Sequence, residues 1–572
     1  MRAESAMIRF GALVLLILSV SHAQALETWE IQGPGLRSPY ENQTVSTNNN
    51  IVTAVGAGFF FVQCPNVRAD GDPWTSDGVL VNSPGNPTVG VGDRVSVTGR
   101  VVEYYGQTEI DGTVSVTVLS SGNPLPTIVD LDSSIPTDTQ PWPTTELERF
   151  EGMRIRVVDG MITGPTDKYG DARVTASGQR AFREGGIEYP GLPNLPVWDG
   201  NPEVFEIDPD ALAGESLELA AGTRFSAEGV FAYVFGSYQL WPSALDLEPA
   251  PALPIPASGP ASSALTIASQ NLERLARSGG DLAYGDRLDK LSLQIREVLG
   301  GPDILAVQEV DSLSVLGDLA DRIRADEASL SYAAHLVEGN DPSGIDVGYL
   351  VRDAVAFHGT EQIGADVVFS WDGSRLYDRP PLVLIASRNG INVTVVVVHL
   401  KSLGGVEDPG SSGDRVRRKR FEQSEWLARW LQDRQIGSPD ENLVVIGDFN
   451  AFEFSDGYVD VVGQISGSPD PGGALLPASE IVDPPLVVAA TRISSETRYS
   501  YVYQGSAEVL DHALFNENLA PLVRGLVYSR GNADAPHGAS AMIGTAVGSS
   551  DHDGLVLFIG PRVRDAGGRR RP

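Results

Sequence analysis

The 572-residue chain has one cysteine, Cys64. That excludes an intramolecular disulfide and any cysteine-built zinc centre. Lysine is nearly as scarce: Lys168, Lys290, Lys401 and Lys419 are the only four, and the other basic residues are arginines. With 42 basic against 75 acidic residues the formal net charge is −33. No basic stripe runs along the chain, so a polyanion meets no broad electrostatic footprint. Apolar runs of membrane-spanning length are also missing. The apolar stretch at residues 10–20 is too short to cross a bilayer comfortably.

What is present is ample core material, 42% hydrophobic residues, which excludes general disorder. At roughly 150 residues per domain the length allows two to four domains. The 62 glycines and 38 prolines favour β-rich parts over a helical bundle. Arg2 and Arg9, the short apolar run and Ala23-Gln24-Ala25 read as a signal peptide over residues 1–25. The mature chain is then expected to start near Leu26 and to be secreted, extracellular or periplasmic; the alternative is an uncleaved anchor. No stable membrane insertion and no protein partner are expected. Cys64 follows the apolar run Phe59-Phe60-Phe61-Val62 and reads as a core thiol.

Residues 249–263, rich in Pro, Ala and Ser, read as a semi-extended linker. Before it the chain reads as all-β. After it, apolar strand-like runs alternate with helical patterns, as in an α/β layered domain. The first half echoes itself. Gly92-Asp93-Arg94-Val95-Ser96-Val97-Thr98-Gly99 is matched by Gly222-Thr223-Arg224-Phe225-Ser226-Ala227-Glu228-Gly229, and Gly106 and Gly236 follow at the same offset. Each segment alternates apolar and polar residues and runs into aromatics, Tyr104-Tyr105 and Tyr233 with Phe235. Two related small β-barrels are expected, 26–130 and 131–248. The pattern resembles bacterial OB-fold domains attached to secreted nucleases. The aromatics either stack on a single strand or pack in the barrel core or at its rim.

Five pieces after the linker carry chemistry. They are Thr266-Ile267-Ala268-Ser269-Gln270-Asn271, Asp303-Ile304-Leu305-Ala306-Val307-Gln308-Glu309, Val395-Val396-Val397-Val398-His399-Leu400-Lys401-Ser402, Leu443-Val444-Val445-Ile446-Gly447-Asp448-Phe449-Asn450 and Ser549-Ser550-Asp551-His552-Asp553. Each sets an apolar strand against a carboxylate, amide or imidazole, so polar groups collect at strand ends around one rim of a sheet. In this order the set resembles the endonuclease/exonuclease/phosphatase superfamily, the DNase I-like fold. The resemblance implies a four-layer α/β sandwich over 264–562, followed by a short basic tail, 563–572. It implies a Mg2+-dependent phosphodiesterase, with Mn2+ as a substitute and Ca2+ as a possible second ion.

By the same resemblance Glu309, Asn271 and Asp551 hold the metal, one or two hard oxygen donors being enough for Mg2+. Asp448 orients or deprotonates the attacking water and Asn450 steadies the phosphate. His552 contacts the scissile phosphate with Asp511 supporting its charge, and His399 is the second phosphate-contacting histidine. Arg379 is the phosphate-binding arginine. Tyr349 is out of register with the family's active-site tyrosine, and His512 reads as structural. The cluster Arg415-Val416-Arg417-Arg418-Lys419-Arg420 starts a helix and either touches a nucleic-acid backbone or is solvated or paired within the protein. The expected activity is hydrolysis of extracellular DNA, with RNA also possible, leaving a 5′-phosphate. The alternatives are a phosphoesterase of the same fold acting on phospholipid head groups or inositol phosphates, and a non-catalytic nucleic-acid or surface-binding protein.

Overall fold

The computed structural model describes residues 24–560 apart from 86, 140–145, 189–193, 213, 261–262 and 279. The expected signal peptide up to residue 23 and the basic tail lie outside the described residues. The chain forms two compact units. One runs up to Thr127 and takes in Arg149–Met153; the other comprises Ile128–Glu148 and everything from Arg154 onward.

The first unit is a five-stranded closed barrel with a short extra strand at Gln24–Ala25. Its strands pair in the order Thr44–Gly56, Phe59–Gln63, Gly78–Asn82, Gln107–Ser120 and Arg94–Tyr104, and the last pairs back on the first. Alternation drives it: along Arg94–Tyr104 the side chains of Val95, Val97 and Val101 point inward against Val45, Phe60 and Ile110. Cys64 is buried here, as expected of a core thiol.

The second unit begins with a barrel of the same strand order. Arg154–Gly164, Ala172–Thr175, Phe205–Ile207, Ser237–Leu247 and Arg224–Val234 pair in turn, and the last closes on the first. The sequence echo therefore marks the same strand in two barrels. Both copies end in a tight turn that places an aromatic at positive φ, Tyr105 and Phe235, each at +51°. These side chains stand in solvent, 72% and 90% exposed, so they are not barrel packing.

The barrel leads into a sandwich of two six-stranded sheets. The first has the order Tyr332–Leu336, Asp346–Arg352, Ile304–Val310, Leu265–Leu275, Leu555–Ile559, Val523–Tyr528. The second has the order Ala356–Gln362, Leu382–Arg388, Ile391–His399, Leu443–Asp448, Asp511–Phe515, Val487–Val488. The near-continuous apolar strands follow from burial on both faces. Ile267, Ile304 and Leu557 of one sheet meet Leu384, Val397, Ile446 and Phe515 of the other. Helices Asp281–Leu293 and Leu313–Asp326 cover the outer face of the first sheet, and Ser411–Gly437 with Val461–Ser466 cover that of the second. Each fully buried Val, Leu or Ile side chain contributes about 1.5–3 kcal/mol.

Two readings are made definite by the structure. The segment read as a linker is laid along the second unit. Ile255 and Arg530 exchange both main-chain hydrogen bonds at 2.9 Å, and Ala257 N donates to Val298 O at 2.8 Å. Prolines lack the N–H of a central strand but suit such an edge, where the intervening residues supply the donors. The basic cluster is paired within the protein. Arg415 meets Asp372, Lys419 meets Asp378 at 2.8 Å, and Arg420 meets Asp456 at 2.9 Å; Arg417, Lys419 and Arg420 are buried.

Candidate active site

Register builds the site. In the second sheet His399 lies opposite Asp448 in a parallel pair, and Asp448 lies opposite Asp511 in an antiparallel one. Three strands thus end with their polar residues in one row. In the first sheet Asn271 is opposite Gln308, and the pairing slips just beyond, between Asn271 and Leu275. That irregularity turns the chain at Glu273 and Arg274, both at positive φ, as are Glu309 and Asn450. Four non-glycine residues in left-handed backbone around one rim is an unusual concentration, of the kind that accumulates at functional sites.

The two rows meet. Asn271 Nδ2 donates to Asp448 Oδ2 at 3.1 Å and to Glu309 Oε1 at 3.4 Å. His399 Nε2 faces the same two oxygens, at 3.5 Å from Asp448 and 3.8 Å from Glu309. Glu309 is also held by Arg274 N at 3.0 Å. Burial pushes the Asp448 carboxyl up, partly offset by the charge of His552. Burial, reinforced by Arg379, holds His399 well below the usual imidazole range, and its Nδ1 has no partner among the described residues.

His552 behaves oppositely. Its Nδ1 lies 2.7 Å from Asp511 Oδ2. Burial disfavours its charge, yet the Asp511 carboxylate, supported by Asp551 and Asp448, outweighs burial and drives the imidazole well above its ordinary value. The backbone around it is fixed by Ser550 Oγ, which accepts from His552 N and donates to Asn271 O, and by Gln270 and Asn532, which both donate to His552 O. Asp551 is exposed on the same loop. Asn450 N donates to Asp448 Oδ1 at 2.8 Å, and its amide donates to Leu400 O.

Arg379 is at the site but engaged. It donates to the carbonyls of His399 and Leu400 and pairs with Asp341 at 3.1 Å, so its visible work is to hold the end of the His399 strand. His512 is fully buried against Phe449, bonded to Ala451 O and pushed down to about 4 by burial. Tyr349 is likewise core, its hydroxyl bonded to Leu382 O and Val395 O. Sequence reasoning missed Tyr501, whose ring centroid is 4.8 Å from that of His552. Nothing local to Tyr501 marks it. Gln270 and Ser550, by contrast, adjoin named residues in the quoted motifs.

The model of the Endonuclease/Exonuclease/phosphatase family matches residues 268–552, the stretch that carries every one of these groups. Residues 268–552 belong to the endonuclease/exonuclease/phosphatase family. A second model, a domain of unknown function (DUF8508), matches residues 146–250. No curated protein matches the chain. Solved structures that are similar include truncated Caenorhabditis elegans TDP2, 17% identical, with a TM-score of 0.34 and covering 51% of this chain and 97% of that one. The human Nocturnin catalytic domain is 16% identical, with a TM-score of 0.34 and coverage of 52% and 95%. A family protein from Bacteroides thetaiotaomicron is 16% identical, with a TM-score of 0.34 and coverage of 51% and 96%.

The family is one of phosphoester hydrolases that use divalent metal ions. The donors present fit such an ion. Glu309 and Asp448 converge on Asn271 and His399, and hard oxygens suit a cation that keeps most of its waters. Among the described residues no three His, Cys, Asp or Glu side chains are preset as a cage.

Proposed function

We propose that the protein is a secreted Mg2+-dependent nuclease that hydrolyses phosphodiester bonds of DNA. The observation that carries this reading is the buried His552–Asp511 pair, 2.7 Å apart, on the rim that also gathers Asn271, Glu309, His399 and Asp448. Glu309 and Asn271, with Asp551 beside them, would hold the metal, which when bound neutralises phosphate charge and stabilises the leaving oxygen. His552, charged and fixed through Nδ1, has Nε2 left to donate to a non-bridging phosphate oxygen. It is a preoriented cation in a dry site, where charge stabilisation is worth most. Asp448, with its raised affinity for a proton, accepts one from the attacking water. His399, held neutral, and Asn450 steady the phosphate, and Arg379 keeps the His399 strand end in place. The strand order and senses shared by the two barrels support reading both as OB-type.

The test uses protein 26–572 with supercoiled plasmid, linear duplex and single-stranded DNA, in Mg2+ or EDTA, beside Glu309→Ala and His552→Ala. Metal-dependent cutting lost in both variants supports the reading, and nicking of the closed circle makes it an endonuclease. No cutting of DNA or RNA, with turnover of a phospholipid or inositol phosphate, replaces it. N-terminal sequencing of exported protein tests secretion; a mature start near Leu26 is expected.

A further inference from the structure

The second barrel is built into the catalytic rim. Thr163 Oγ donates to Gly505 O at 2.7 Å, and Asn201 Nδ2 donates to Ser506 Oγ at 2.8 Å. Arg183 N donates to Ala507 O, and Ala507 N donates to Ala181 O, both at 3.0 Å. The barrel therefore grips the hairpin of Tyr501–Tyr503 and Ser506–Glu508, and that hairpin carries Tyr501 beside His552. Gly505 sits at φ +85°, and a Cβ there would lie 2.7 Å from Arg173 Cβ, so only glycine fits the joint. A second tie lies behind it: Arg180 of the barrel pairs with Asp534 at 2.5 Å and donates to Tyr499 OH at 2.8 Å.

Beside this joint opens a cleft of about 450 Å³, inside the roughly 300–1,000 Å³ range of small-molecule sites. Pro165, Thr166 and Asp167 of the barrel form one side; Tyr501, Ser540 and Asp551 of the catalytic domain form the other. It thus begins at the residues that flank His552. Its chemistry is poor for phosphate. Asp167, Glu273 and Asp551 line it, and the lining Arg173 is already paired with Glu206 at 2.7 Å. An uncharged, flat, hydrogen-bonding group finds the ring of Tyr501, the amide of Gln504 and the hydroxyl of Ser540.

We infer that this cleft receives the nucleoside next to the scissile phosphate, so that the second barrel restricts the enzyme to single-stranded or frayed nucleic acid. The inference rests on the nuclease reading above and gives the domain of unknown function a task. A paired base would have to leave its duplex to enter, at a cost of about a few kcal/mol. The complementary strand would also bring its phosphates towards Asp167.

The experiment fills the cleft from either side with Asp167→Trp or Ser540→Trp. Both residues are exposed and neither is among the catalytic groups. Two readouts are taken: hydrolysis of octathymidylate and of bis(p-nitrophenyl) phosphate, which has no nucleoside, and anisotropy of labelled octathymidylate in EDTA. Wild type should cut and bind octathymidylate better than a matched hairpin duplex. Each variant should lose about tenfold or more on octathymidylate, the size of one stacking contact, and keep its bis(p-nitrophenyl) phosphate activity. That retained activity also shows the variants are folded. Variants that handle octathymidylate like wild type, an equal loss on both substrates, a duplex cut as readily as the single strand, or no octathymidylate binding by wild type would each overturn the inference. Binding that both tryptophans weaken, without any hydrolysis by wild type, would sink the nuclease reading and leave the cleft assignment standing.

Discussion

Asp511→Asn changes one atom in the buried pair that gives His552 its charge. His552 is only 6% exposed. Another buried histidine shows what happens without a carboxylate partner: His512, bonded to the Ala451 carbonyl, is pushed down to about 4 by burial. The variant should therefore carry a neutral His552 at neutral pH. In the wild type the folded value lies above the unfolded value of about 6.5. The pair's stabilisation is then fully present below about pH 6.5 and fades as pH rises through the folded value. Removing one member of a buried pair costs up to about 3–5 kcal/mol, less whatever the ring recovers by losing its proton. For a unit of this size that corresponds to a fall in Tm of up to roughly 3–5 °C near pH 5.5 and a much smaller one at strongly alkaline pH. Hydrolysis of bis(p-nitrophenyl) phosphate should fall about 10²–10⁴-fold, because the proton and the ring orientation are lost together. A Tm loss that is the same at every pH, or activity within about threefold of wild type, would refute the assignment.

Glu309→Gln removes the charged oxygen nearest His399 apart from Asp448; the Mg2+ concentration for half-maximal activity should rise about tenfold or more, and calorimetric Mg2+ binding should weaken in step. Arg180→Met leaves Asp534 buried without its cationic partner, with Tyr499 OH still donating to it, and should cost about 3–5 kcal/mol in denaturant unfolding of the second unit, much of it recovered by adding Asp534→Leu. Burial pushes the Cys64 thiol up to about 12, so iodoacetamide at mildly alkaline pH should leave the native protein unmodified and alkylate it once denatured.

The catalytic half was legible because each quoted site motif abuts an apolar strand. Val395 to His399 and Leu443 to Asp448 announce buried parallel strands, and parallel pairing in register sets His399 beside Asp448 without further information. The barrels were legible through alternation and through the repeated glycine frame. What the sequence hid is partnership through space. Arg417, Lys419 and Arg420 look like a basic patch, and only the fold shows Asp414, Asp378 and Asp456 waiting for them. Arg379 looks like a free phosphate ligand until the carbonyls of His399 and Leu400 are seen to occupy it. Tyr501 lies 51 residues before His552 in a hairpin with no motif, and its role depends on a barrel some 300 residues upstream. The apparent linker was hidden for a related reason: composition reports that a segment cannot form a core, not that it cannot lie against one.

The inward-turned arginines bear on how a chain of net charge −33 would bind a polyanion. The cations that act on His399 at the rim are Arg379, His552, Arg274 and Lys401, and Arg379 is already paired with Asp341. A substrate strand there would replace counterions at about two phosphates. With a slope near −0.7 to −0.9 per phosphate, raising salt from about 50 to about 200 mM should weaken octathymidylate binding in EDTA only about tenfold. A protein that reads the backbone through six to ten contacts loses about 10³–10⁵-fold over the same range. The shallow slope follows from pairing the helical cluster internally and leaving recognition to stacking, hydrogen bonds and one buried imidazolium. It is also what a lysine-poor, acidic surface needs in order to work at high ionic strength, where exposed charge is screened. A thousandfold loss over that interval would mean that the paired arginines open to meet the strand, and the account of the basic helix as purely internal would have to be given up.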